Sequence, residues 1–233
     1  MITHLALTGV HVNPQFLNRT AERDDLRASA ARDLRQMRAP HGGAAALASA
    51  VGQRLYDVGV IDHLAQIRAT PWLADLLAAR FDFDLTRDDP VEPVHLAGGD
   101  PLEPIAGDAS GGTFLRTPAG AVVYAGSEGE GGLIASNLRD ALALVVGLPS
   151  LHDALARPYD DDLRAYLARC DDEIRQDDAP QGRPTLDEDR ARVRDALHLP
   201  PADDLLAGLH AAAVDENHRP ISEHGPYEPM LPT

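Results

Sequence analysis

GGTFLRTPAGAVVYAG, residues 111–126, is where the chain stops reading as helix. "GGTFLRT" and "AVVYAG" read as strands on either side of an Ala119-Gly120 turn. Phe114 and Arg116 fall on one face, and Thr113, Leu115 and Thr117 on the other. From Phe81 to Leu133, Gly and Pro recur every few residues and helical periodicity vanishes. These features predict a hairpin inside a sheet built from about residues 91–126. The domain is then α+β, a small mixed or antiparallel sheet packed by helices, with a helical C-terminal extension. The alternative is an all-helical chain with one small hairpin.

Outward from that stretch the pattern is helical. Residues 21–38, 44–56 and 60–68 carry helical patterns, the first ending at Pro40 and Gly42-Gly43, and residues 5–12 suit a short hairpin. "TPWLADLLAAR" starts a helix, with Thr70 as N-cap, Pro71 at its first position and Trp72, Leu73, Leu76 and Leu77 as its apolar face. Ser136 is the expected cap of a helix to Val146, with Leu138, Ala141, Leu142 and Val145 inward. Leu163 to Gln176 is charged and amphipathic. Thr185 to Glu188 forms a capping box for the next helix, and a last helix spans 203–214. Residues 217–233 hold four prolines and read as an irregular tail. The expected organisation is an N-terminal arm and helix (1–40), an α+β core (41–153), a helical extension packed on it (154–216) and the tail (217–233).

The 233 residues carry a net charge of −16, and every one of the 21 basic residues is Arg. Such acidity opposes nucleic acid and anionic lipid, and favours a basic protein partner. The charge is uneven: residues 81–110 hold eight acids against one arginine. Aromatics are only 4%, which favours a Leu/Ala/Val core rich in helix. Cys170 is the single cysteine. It leaves no intrachain disulfide or multi-cysteine zinc site, and its helical stripe with Leu163, Tyr166 and Leu167 suggests packing rather than nucleophilic use. The first residues show no secretory signal and no apolar run spans a membrane, so a cytoplasmic, reducing location is expected.

"GDASGG", Gly107 to Gly112, differs by one inserted alanine from the Gly-Asp-Ser-Gly-Gly around the nucleophile of chymotrypsin-like proteases. The insertion moves the serine out of register with the amides of an oxyanion hole. His41, His63 and Asp75 could supply partners only by virtue of how common His and Asp are here. Ser110 therefore reads as part of a polar turn leading into a strand. A serine hydrolase using Ser110 or Ser127 with a His is the competing activity. "GSEGEGG", residues 126–132, lacks the Gly-Lys-Ser/Thr of a phosphate loop, and Glu128 and Glu130 would repel an anion; it reads as a flexible connection. Asp215, Glu216, His218, Glu223 and His224 offer metal-ligand chemistry without ligand spacing on a firm helix. The acidic runs 160–162 and 171–173 read as helix starts or solvated faces.

The order of elements from Glu103 to Asp153 resembles the central part of the SUKH superfamily. Pro104-Ile105 leads to the Gly-Asp pair, a strand at 112–115, a tight turn, a second strand ending in Tyr124, an acidic Ser-Glu-Gly turn and a helix beginning "IASNLRDAL". The resemblance implies an α+β domain with no catalytic residues, no cofactor and no metal. It also implies a protein-binding role, in many members as an immunity protein neutralising a toxin domain, often a nuclease. A housekeeping adaptor or scaffold is the other binding role. In that reading Asp108 bonds nearby amides. If the two strands pair, local charge puts Asp108, Glu128 and Glu130 on one rim of the hairpin, with Asp100 and Glu103 adjoining, as the expected surface for a basic partner.

Overall fold

The computed structural model describes residues 62–90, 92–178 and 184–231. The hairpin at 5–12, the helices at 21–38 and 44–56, and His41 lie outside them. Ile61–Thr233 forms one compact unit. Helix α1 (His63–Arg68) starts where Asp62 accepts a hydrogen bond from the Ala65 amide. Helix α2 (Pro71–Phe81) follows with Pro71 in its first turn, although Thr70 makes no side-chain cap bond. Its buried stripe is Leu73, Leu77 and Phe81, spaced by four. Trp72, expected on that stripe, is 42% exposed. It lies about 100° around the helix from Leu73, where the Arg192 guanidinium sits 4.9 Å from its ring centroid.

Strands β1 (Glu103–Gly107), β2 (Thr113–Arg116), β3 (Val122–Ala125) and β4 (Glu130–Ala135) form an antiparallel run. The C-terminal segment contributes β5 (Ile221–Ser222) and β6 (Gly225–Pro226), which pair with each other, and β7 (Glu228–Pro229), which joins β4 in parallel. The main sheet is therefore mixed, in the order β1-β2-β3-β4-β7. It begins and ends later than the expected 91–126. Only residues 126–129 of "GSEGEGG" make the turn, closed by the Gly126 amide donating to the Glu130 carbonyl; the rest is strand. Of the two strand glycines, Gly131 is the crowded one, while a Cβ on Gly132 would meet only ordinary contact distances. A Cβ on Gly131 would lie 2.8 Å from the Tyr124 carbonyl oxygen and 3.0 Å from Pro220 Cγ, and one on Gly132 3.5 Å from the Ala213 carbonyl oxygen.

Both sheet faces are covered, and the alternation along β2 and β3 sorts them. Phe114, Val122 and Tyr124 join Ile105 and Ile134 in the main core, while Leu115, Val123 and Ala125 face the other way, against Tyr227 and the half-buried Val94, Leu102 and Leu133. Tyr227 thus covers part of the second face while Met230 and Leu231 pack against the main core, and the expected irregular tail holds three short strands between Ile221 and Pro229. Three prolines within it remove backbone donors, and each strand is two residues long; Ile221 of β5 also bridges His95 on its other side.

The helical side is built from α3 (Leu138–Gly147), α4 (Leu151–Leu155), α5 (Asp161–Asp178), α6 (Leu186–Leu197) and α7 (Leu206–Ala213), with a 3-10 turn at Ala202–Asp204. Helix α3 is capped by Asn137, one residue after the expected Ser136; Asn137 accepts from the Asp140 amide. The Thr185–Glu188 capping box is complete, each side chain accepting from the other residue's amide. Asp171, expected on a solvated face, instead takes both Nη atoms of Arg190 at 2.6 and 2.8 Å, while Arg190 Nε donates to the Val146 carbonyl at 2.9 Å. That fork ties α5 and α6 to α3. Cys170 is half-buried on α5. Among the described residues no helix is long and apolar enough to cross a membrane.

Candidate functional site

The turn between β1 and β2 is organised by one carboxylate. Asp108 Oδ1 accepts from the Ser110 amide (2.9 Å), the Ser110 hydroxyl (2.7 Å) and the Gly112 amide (2.8 Å). Its Oδ2 accepts from the Tyr124 hydroxyl at 2.6 Å. Gly111 supplies the left-handed backbone at φ +94°, a conformation costly to residues with a Cβ. Gly112 leaves room for the Tyr124 phenol, since a Cβ there would overlap Tyr124 Oη and Cζ. Arg87 Nη1 donates to the Asp108 carbonyl at 2.9 Å, and the Ser127 hydroxyl donates to the Ser110 carbonyl at 2.8 Å. That last bond joins the β1–β2 turn to the β3–β4 turn.

An aromatic row runs from the core to this turn. Phe83, Phe114, Tyr124 and His152 stand at successive centroid distances of 5.1, 5.2 and 5.7 Å. His152 Nε2 lies 3.4 Å from Tyr124 Oη and 3.7 Å from Glu130 Oε1. Between this row, the end of α2 and the α3–α4 connection lies a pocket of about 250 Å³.

Burial works to raise the Asp108 pKa, but the bonds from Tyr124, Ser110 and Gly112 outweigh it and hold the carboxyl below its ordinary value. Burial, then the bond to Asp108, push the Tyr124 phenol well above its ordinary range. The two shifts act at opposite ends of the pH scale. The Asp108 contribution to stability is present above its unfolded pKa, ~3.9, and is lost as pH falls through its lower folded value. The Tyr124 contribution is present below ~10 and is lost as pH rises through its higher folded value. Tyr227, pushed up to about 12 by burial and by its bond to Glu92, adds to the alkaline loss. Urea unfolding at pH 9 and pH 11 is expected to show that loss, and Tyr124→Phe is expected to shrink the difference between the two pH values. An unchanged difference would show that Tyr124 keeps an ordinary pKa.

The expected rim is assembled in part. Asp108, Glu128 and Glu130 stand at one end of the sheet, with Glu128 exposed at the tip of the β3–β4 turn. Glu130 reaches back towards Gly126 and His152. Glu103 is at the other end of β1, roughly 13 Å along the strand, where Arg116 donates to its Oε2 at 2.7 and 3.0 Å. Asp100 closes the turn that precedes β1, on that same far side, through its carbonyl and the Leu96 amide. The structure adds carboxylates that the sequence did not bring to this end. Glu228 stands beside Glu130 in register, Asp84 bridges Gly107, and Asp82 lines the pocket.

Neither serine hydroxyl hydrogen-bonds a histidine among the described residues. Ser110 and Ser127 spend their protons on Asp108 and on a carbonyl. His63 is buried against the Leu197 carbonyl, and Asp75 is exposed on α2. In the C-terminal segment Asp215 accepts from His218 Nδ1 at 2.7 Å and from the Asn217 amide, capping the 3-10 turn Glu216–His218. Among the described residues no three His, Cys, Asp or Glu side chains are grouped to hold a metal. Comparison of the chain with family models, with curated proteins and with solved structures gives no match.

Proposed function

We propose that this chain is a non-catalytic protein-binding domain of the immunity type, which neutralises a cationic toxin domain through the acidic end of its sheet. The observation that carries this reading is the gathering of Asp108, Glu128, Glu130 and Glu228 at one sheet end, while the Ser110 hydroxyl is committed to Asp108 within its turn and the Ser127 hydroxyl to joining the two turns. A surface of one sign steers an oppositely charged partner and raises its association rate. A nuclease domain, whose active surface is built to receive phosphates, is a partner of matching charge. The SUKH-like order of elements from Glu103 to Asp153 points to the same role.

Incubation with a fluorophosphonate probe, read by intact mass, separates this reading from a serine hydrolase. The expected result is no mass gain, and stoichiometric labelling of Ser110 or Ser127 would overturn the binding role. For the surface itself, Glu128→Arg with Glu228→Arg changes exposed charge without touching the Asp108 turn. Association with the toxin domain is expected to slow several-fold at low salt, with the difference shrinking as salt screens the field. Unchanged kinetics would place the interface elsewhere.

A further inference from the structure

The pocket of about 250 Å³ beside Tyr124 has the chemistry of a receptor for one side chain. Its apolar walls include Phe81, Leu148, Pro149 and Ile174; Phe114 and Tyr124 also border it but are only 3% and 2% exposed. Apolar walls suit the methylene stem of an arginine. Two carboxylates, Asp82 and Asp108, also line it. Asp108 Oδ2 accepts one hydrogen bond from within the protein and keeps a second lone pair. Asp82 is exposed and makes no ion pair among the described residues.

Two arginines line the pocket as well, and both are already matched. Arg80 is ion-paired with Asp178 and lies 3.9 Å from Asp189, and Arg190 is forked on Asp171. Arg80 Nε has no hydrogen-bond partner, but it is sealed from solvent. His152 lines the pocket too, its side chain 55% exposed and 3.7 Å from Glu130. With both arginines matched, Asp82 and Asp108 are the charged groups left to meet a ligand, and they suit a cation.

Asp82 adds an argument of its own. It ends α2 in the left-handed region, at φ +49° and ψ +40°. Glycine occupies that helix-end position without a Cβ penalty, so an aspartate is there at the expense of stability. His198 ends α6 in the same conformation away from this pocket; what sets Asp82 apart is that its carboxylate lines the pocket.

We propose that this pocket is a socket for an arginine side chain presented by the protein partner, with Asp82 and Asp108 facing the guanidinium and the apolar walls against its methylene stem. The proposal rests on the protein-binding reading and names the partner's anchoring group. The test is an NMR titration of the whole chain with Nα-acetyl-arginine-N-methylamide, alongside the lysine and citrulline equivalents. Saturable shifts are expected at the amides of Asp82, Gly111, Gly112 and His152, with millimolar affinity for arginine, weaker affinity for lysine and no saturation with citrulline.

Asp82→Gly is expected to hold or raise Tm while weakening arginine binding about five-fold, the size of one carboxylate–guanidinium pair. No saturable shift at those amides would overturn the socket. So would an equal response to citrulline or lysine, or wild-type arginine affinity in Asp82→Gly. Capture of the toxin domain by Asp82→Gly at wild-type affinity would sink the socket and leave the protein-binding role standing. Saturable arginine binding by a chain that fails to bind the toxin domain would sink that role instead.

Discussion

Asp108→Ala is expected to lower the free energy of unfolding by about 3 kcal/mol, at the upper end of what single substitutions do. Four hydrogen bonds end on this carboxylate, two from backbone amides and two from hydroxyls. Removing it leaves the Ser110 and Gly112 amides without their acceptor. It also strands the phenol of Tyr124, a residue only 2% exposed. A buried donor left unpaired costs more than the bond itself was worth. Asp108→Asn is expected to recover about half, because the amide oxygen can still serve the two backbone donors. Tyr124→Phe alone is expected to cost about 1–2 kcal/mol, and the double variant less than the two single losses combined, since both remove the same bond. Urea unfolding with an unchanged m-value gives each number. A loss under about 0.5 kcal/mol for Asp108→Ala, the level of an ordinary surface change, would show that the turn holds without its carboxylate.

Gly112→Ala is expected to cost at least as much, about 3–4 kcal/mol, by a different route. Its Cβ would overlap the Tyr124 phenol and come 2.7 Å from Asp108 Oδ2. The bond between these two residues closes the turn, so one methyl group would push apart the pair that fixes it. Gly111→Ala sets a scale beside it. That residue has φ +94°, and its Cβ would lie 3.4 Å from Ser127 Cβ, so its cost is mainly backbone strain of about 1–2 kcal/mol. Gly208→Ala, inside α7 with nothing within 4 Å of the added Cβ, is expected to gain about 0.5–1 kcal/mol. Thermal unfolding of the three variants orders these effects. A Gly112→Ala protein as stable as wild type would mean that Tyr124 does not sit over the turn.

Where the sequence was legible, one local rule acted alone. The pattern of residues 113–125 announces two strands and the sorting of their side chains to two faces, and Thr185 with Glu188 announces a helix start. Legibility failed where a tertiary contact outweighed local preference. Gly131 and Gly132 read as loop because glycine is a poor strand former. They are strand residues because they pair with Ala125 and Tyr124 of β3, and at Gly131 the Tyr124 carbonyl and Pro220 leave no room for a Cβ. The prolines after residue 217 hid strands of two residues, whose pairing partners are distant in sequence. The site divides in the same way. Asp108 was readable as a residue that binds turn amides, because those amides lie two and four positions away. Tyr124 lies 16 positions from Asp108 and His152 a further 28, and no spacing rule joins them. Glu103 was misplaced because sequence proximity to Asp108 conceals that a strand separates them.

Isothermal titration of the purified chain against the domain of any toxin found encoded beside its gene bears most directly on the proposed binding without catalysis. The predicted result is one-to-one association whose affinity falls as salt rises, with the toxin's activity silenced at equimolar ratio. Absence of binding heat, with toxin activity intact at equimolar ratio, would contradict it.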